Sequence, residues 1–312
     1  TTVAQFLKIG MDARSTSMGG AVAGQSGNLS GVYWNPASIA SYNGIGVQFG
    51  SYDWLVAMKY QFAIIGIDLG AKGVLGLSIV NLSSPDDLVR TVSEPQGTGE
   101  KFSTNDLSAS LTYSKMLTDH FSLGGSFKYI QQNIWHSTAH TVAIDIGTLF
   151  QTPFYGTRLG ASISNYGGKM KMDGRDQKIS IDPDLDNQGN VEFVNAIYET
   201  EHFPLPLFFR VGVSGELIKK QNLKLSYGID ALHPNDNTEH LNLGLELNYR
   251  EILFLRGGIP SFYKMDSVEG PTFGAGLNYH MTRTATLLKI DYSFSSYGPL
   301  GDVERLSIGF NF

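Results

Sequence analysis

The sequence predicts an all-β protein, a 14-stranded antiparallel transmembrane β-barrel with an N-terminal plug (hatch) inside the barrel, and three observations carry the expectation. From Gly44 onward apolar and polar residues alternate with a period of two, which sorts them onto opposite faces of successive strands. These segments run roughly ten to thirteen residues, beyond the five or six usual in globular sheets and close to the length of a tilted membrane strand. Residues 1–43 lack the alternation altogether and are read as the plug, with 44–312 as the wall of one integrated domain.

The wall declares itself most clearly late in the chain. Leu241, Leu243, Leu245, Leu247 and Tyr249 share one face, and His240, Asn242, Gly244, Glu246, Asn248 and Arg250 share the other. Leu223, Leu225, Tyr227 and Ile229 oppose Lys224, Ser226, Gly228 and Asp230. Leu288, Ile290, Tyr292 and Phe294 oppose Lys289, Asp291, Ser293 and Ser295. A sandwich would also alternate, but its solvent face would carry more Lys and Glu than these faces of Gly, Ser, Thr and Asn, which suit a wet lumen. The apolar faces end in Tyr113, Tyr129, Tyr249, Tyr279 and Phe312, as an interfacial girdle requires.

Strands are expected at 44–52, 55–69, 73–83, 104–117, 120–135, 138–151, 157–166, 206–218, 221–232, 238–250, 252–260, 271–281, 285–296 and 303–312. An even number places both chain ends on one side, the periplasmic side in a bacterial outer-membrane barrel. Short turns near 70–72, 118–119, 152–156, 219–220, 250–251 and 281–284 alternate with longer connections at 84–103, 167–205, 233–237, 261–270 and 297–302. Closure removes the unpaired edges of an open sheet. The closing face of Leu306, Ile308, Phe310 and Phe312 resembles the C-terminal recognition signal of outer-membrane proteins.

Composition agrees. Charged residues are 17% of the chain, glycines number 36 and aromatics reach 12%, leaner in charge than the quarter or so typical of soluble domains. The net charge of -6 comes from scattered residues, which excludes a nucleic-acid surface. The chain has no cysteine and needs no disulfide or thiol chemistry. The best candidate for a membrane helix, Trp54 to Leu69, is broken by Lys59, Gln61 and Asp68. The sequence opens at Thr1 without a methionine or an apolar signal region, as a processed secreted chain or a trimmed one would.

The plug candidate contains Asp12-Ala13-Arg14, Met18-Gly19-Gly20-Ala21 and Tyr33-Trp34-Asn35-Pro36-Ala37, where glycines suit tight approach and Pro36 biases Asn35 toward an extended conformation before a helical turn. With Phe6 to Gly10 ahead of it, this stretch resembles the opening of the PorV/PorQ family, within the FadL-like outer-membrane β-barrels. Pro234 to Asn237 with Glu239-His240, Leu255-Arg256-Gly257-Gly258 and Tyr297 to Gly301 are similar to later segments of that family. The resemblance implies an Asn-Pro-Ala element in an N-terminal hatch and a role in type IX protein secretion. It implies partners as well: outer-membrane lipid, cargo proteins bearing C-terminal signal domains, and a large translocon subunit. The alternative it leaves open is a FadL-like transporter of hydrophobic small molecules, which needs an apolar pocket; the polar faces above show no apolar stripe for one.

No Gly-x-Ser-x-Gly elbow, His-Glu-x-x-His or phosphate loop is present, and neither an enzyme nor a cofactor is expected. Asp182, Asp184 and Asp186 resemble the start of a calcium loop, but Asn187 and Phe193 stand where such a loop needs Gly and Glu. His233 and His240 flank a polar turn and read as hydrated, with no further metal ligands indicated. The charges Lys128, Arg158, Arg210, Glu216, Lys224, Asp230, Glu246, Arg250, Lys289, Asp291 and Arg305 fall on lumen faces, with Glu216, Glu246 and Asp291 as candidate partners for Arg14. Phe193, Ile197, Tyr198 and Phe203 in the longest connection are candidate anchors for a partner protein, or residues that fold back over the lumen.

Overall fold

The computed structural model describes residues 1–154, 156–182, 193–264, 267–281 and 286–312. Fourteen strands form the wall. In order they are β1 (Ile45–Asp53), β2 (Lys59–Asp68), β3 (Val74–Ser83), β4 (Thr104–Thr118), β5 (Phe121–Ile134), β6 (Ser137–Gln151) and β7 (Arg158–Gly167), then β8 (Phe208–Lys220), β9 (Leu223–Pro234), β10 (His240–Tyr249), β11 (Leu253–Phe262), β12 (Thr272–His280), β13 (Leu287–Ser296) and β14 (Asp302–Asn311). Each pairs antiparallel with its chain neighbours, and β14 returns to β1 from Gly46↔Asn311 to Gly50↔Ser307, so no edge is left open.

The wall is inside-out relative to a water-soluble protein. Leu245 and Phe127 on its outer face are 49% and 54% exposed, whereas their lumen-facing neighbours Glu246 and Lys128 are 7% and 6% exposed. Such an outer face is stable only against hydrocarbon. Tyr113, Tyr249, Tyr279 and Phe312 cluster toward the short-turn end of this face, while Tyr129 sits toward the long-loop end.

Two connections carry structure of their own. The 84–103 loop contains a two-residue ladder, Asp87–Leu88 with Lys101–Phe102. The loop after β7 docks on β6 through Asp173 and Gly174, and contains an antiparallel ladder of Lys178–Ile181 with Val194–Ile197. Two expectations need correction. The segment expected as one strand from 55 begins with a tight turn at Leu55–Ala57, where Val56 has φ 59°, and pairs only from Lys59. Arg250, expected in the lumen, lies in the β10–β11 turn with φ 57° and stacks 5.3 Å over the Tyr249 ring, because the strand ends one residue before it.

Residues 2–42 lie inside the barrel in short helical turns: Gln5–Lys8, α1 (Ala13–Ser17), α2 (Gly31–Trp34) and Pro36–Ser41. Too short to be stable alone, they are held by the wall. Ala13 N–H donates to Ser307 Oγ at 2.9 Å, Gly19 N–H to Thr272 Oγ1 at 3.1 Å, and the Val22 and Ala23 N–H groups to Asp230 Oδ2 at 2.9 Å. Much of the glycine content has its explanation here. A Cβ on the wall glycines Gly244 or Gly258 would collide with the backbone of Met18 or Gly19, so the segment can press main chain against main chain.

Candidate functional site

The motif residues of the N-terminal segment make one buried construction. Asp12 caps α1, accepting from Ser15 N–H at 3.0 Å, and its other oxygen accepts from Trp34 Nε1 at 2.9 Å. Asn35 caps the next turn through Ala37 N–H, and its amide donates within the segment to Ala23 O at 2.8 Å and to the wall at Thr148 O, 3.1 Å away. Pro36 occupies the first position of that turn, where its missing N–H costs nothing. Gly147 of β6 leaves room for the Asn35 side chain. Trp34 lies under the Arg210 guanidinium, 5.0 Å from it, and Arg210 Nη1 donates to Trp34 O at 2.9 Å.

Of the three candidate partners for Arg14, the structure selects Glu246: Arg14 Nε and Nη2 each donate to it at 3.0 Å. Arg256 joins the same carboxylate at 2.7 Å and continues to Asp291 at 2.6 Å. Glu216 instead pairs with Lys224 at 2.6 Å. Lys128 pairs with the fully buried Asp145 at 2.6 Å and donates to Asn165 Oδ1 at 2.9 Å, at the point where the β6–β7 register slips and Asn165 takes φ 63°. Arg256 and Asp145 were missed as lumen charges. Arg256 reads as part of a glycine motif, and Asp145 sits among outward Ile144 and Ile146. The register Ser126↔Asp145, next to the Lys128 position, is the signal that could have found the latter.

Above this segment, at the long-loop end, the lumen holds a cavity of about 880 Å³. Phe6, Leu7, Ile9, Tyr33 and Trp34 form its floor, Leu82, Ile134, Phe208 and Leu232 its walls, and Trp54, Met58, Met172 and Tyr297 its upper rim. Asp106, Gln132, Arg210, His240 and Asn242 add polar points. The absence of an apolar lumen stripe expected from the sequence is thereby corrected. The apolar lining comes from the N-terminal turn and the loops, and on β1–β3 the residues Tyr52, Tyr60, Phe62, Ile64, Val80 and Leu82 face inward against it. Arg305 is buried beside the rim, with Tyr52 4.9 Å and Trp54 5.4 Å from its guanidinium and Ser295 Oγ accepting at 2.9 Å.

The first residues reach this end too. Val3 N–H donates to Pro204 O at 3.0 Å, and Lys8 pairs with Asp236 of the β9–β10 loop at 2.8 Å. The expectation that both chain ends share a side therefore applies to Ile45 and Phe312, the ends of the wall, and not to Thr2–Lys8. Burial alone would raise the Asp236 carboxyl, but hydrogen bonds from Lys8, Thr2 and Gln5 and the Lys8 charge outweigh it and hold the group down to about 2.

The partner-anchor candidates divide. Phe193, Ile197 and Tyr198 point outward, 66%, 62% and 64% exposed; Phe203, 37% exposed, is tied by a backbone bridge to buried Met170, and the nearby Leu205 is buried. Asp184, Asp186 and Asn187 lie outside the described residues. His233 Nδ1 lies 2.9 Å from Glu239, and His240 Nδ1 3.2 Å from Thr238 O.

Fold and lumen together define an integral β-barrel of outer-membrane type, filled by its own N-terminal segment below a mixed cavity. No protein-family model matches the chain, and no curated protein matches it in sequence. Solved structures do share the fold. The toluene transporter TbuX of Ralstonia pickettii superposes with a TM-score of 0.59 at 12% identity, over 96% of this chain and 97% of that one. The toluene transporter TodX of P. putida gives 0.58 at 12% identity, over 97% and 99%. A FadL homologue of Pseudomonas aeruginosa gives 0.54 at 10% identity, over 97% and 98%. The fold is thus that of FadL-like outer-membrane barrels.

Proposed function

We propose that this protein carries hydrophobic or amphipathic small molecules across the outer membrane, taking them up from the long-loop side. The observation that carries the reading is the cavity of about 880 Å³ with an aromatic and aliphatic lining, placed where a solute entering between the long loops arrives first. The likeness to toluene transporters supports it. The cavity is far roomier than a single small aromatic ring requires, and Asp106, Gln132, Arg210 and Asn242 along its wall suit a larger amphiphile with polar substituents. The N-terminal segment acts as the plug that keeps ions and water from following. The test is binding by the purified barrel of fluorescent amphiphiles of graded size: saturable 1:1 binding supports the reading, and the Leu232→Trp variant, which narrows the cavity at its wall, should weaken binding of the largest of them.

A second reading, docking of secreted cargo as in type IX secretion, draws on the motif resemblance and on the outward Phe193, Ile197 and Tyr198, which suit interface anchors. Trimming 193–198 and measuring cargo capture tests it, and leaves the cavity intact.

A further inference from the structure

A second chamber, of about 180 Å³, lies at the short-turn end of the lumen and shares no lining residue with the upper cavity. Arg14, Arg256 and Lys289 face it, together with Asp291 and the amides of Gln48 and Asn278. The two neighbouring carboxylates are already engaged, Glu246 by Arg14 and Arg256, and Asp291 by Arg256 at 2.6 Å. Lys289 makes no hydrogen bond and no ion pair among the described residues; the charges that act on it are Arg14, of like sign, and Asp291. Formal charge in the cluster is three positive against two negative, in a confined space where an unpaired ammonium is costly. The backbone gives the cluster room. A Cβ at Gly276 would come within 2.5 Å of Asp291 Oδ1 and 2.8 Å of the Arg256 guanidinium, so this glycine makes space for that pair at the chamber wall.

We infer that this chamber is a binding site for a small oxyanion, a carboxylate or a phosphate, held by the Lys289 amine with amide donors from Gln48 and Asn278 and the positive field of Arg14 and Arg256. Its size admits an anion of a few heavy atoms and its water, and excludes a long chain. The site is independent of the transport reading, since the upper cavity can bind its solute with this chamber empty.

Calorimetric titration of the purified full-length barrel with inorganic phosphate and, separately, with acetate tests the inference. Saturable binding of one equivalent of either probe is expected, weakened about tenfold or more in Lys289→Gln and unchanged in Lys115→Gln, whose lysine lies on the exposed end of β4. Acetate binding alone marks a carboxylate site and phosphate binding alone a phosphate site. A Lys289→Gln barrel that shows the native shift in gel mobility on heating yet binds as tightly as the unsubstituted protein overturns the inference, as does no saturable binding of either anion.

Discussion

Arg14 on the N-terminal segment grips both oxygens of Glu246 on β10 at 3.0 Å, and Glu246 shares its charge with Arg256. The segment and the wall are joined by a buried network. Removing the carboxylate takes from Arg14 its hydrogen-bonded acid and leaves Arg256 only Asp291. Removing Arg14 leaves Glu246 still paired. Glu246→Gln should therefore destabilise the barrel by about 3 kcal/mol, and Arg14→Met by less than half of that. Guanidinium unfolding of the detergent-solubilised variants measures both, and equal losses would show that the pairing is not shared in this way.

The tie between Lys8 and Asp236 should respond to acid. The Asp236 carboxyl is depressed from 3.8 to about 2 in the folded protein, so its contribution is complete above about pH 4 and is lost as pH falls through 2. Amide exchange at Thr2–Lys8 should stay slow down to about pH 3 and accelerate toward pH 2. In Lys8→Met the acceleration should begin nearer the ordinary carboxylate range. Exchange that is fast at every pH would mean the tail is not held by Asp236.

A side chain at Gly258 has no space, since its Cβ would meet the backbone of Met18 and Gly19. Gly258→Val should displace the N-terminal segment at a cost of about 1–3 kcal/mol and raise single-channel conductance in planar bilayers. Deletion of 1–40 should raise it further. Unchanged conductance in the deletion barrel would exclude a sealing role for the segment.

How legible all this was from sequence follows from what each feature depends on. The wall was legible, because period-two alternation is a local property and Leu241 to Tyr249 displays it without reference to any neighbour. The Arg14 partner was legible as a short set of candidates, since a guanidinium in a polar interior must find an anion. The cavity was not. Its floor comes from Phe6, Leu7 and Ile9, and its rim from Trp54, Met172 and Tyr297, residues far apart in the chain whose convergence depends on barrel closure and on where the first residues thread. Tyr60, Phe62 and Ile64 hid the inward apolar face for a different reason: their outward neighbours Ala63, Ile65 and Ile67 are apolar too, so the alternation fades where both faces meet nonpolar surroundings.

The transport account is tested most directly by uptake. Proteoliposomes or cells carrying this barrel should accumulate an amphiphile large enough to fill the cavity, such as an aryl-substituted long-chain alcohol, several-fold faster than those carrying a barrel without such a cavity. The Leu232→Trp variant, which narrows the cavity, should lower the rate while ion conductance stays low. Equal uptake with and without the protein would contradict it.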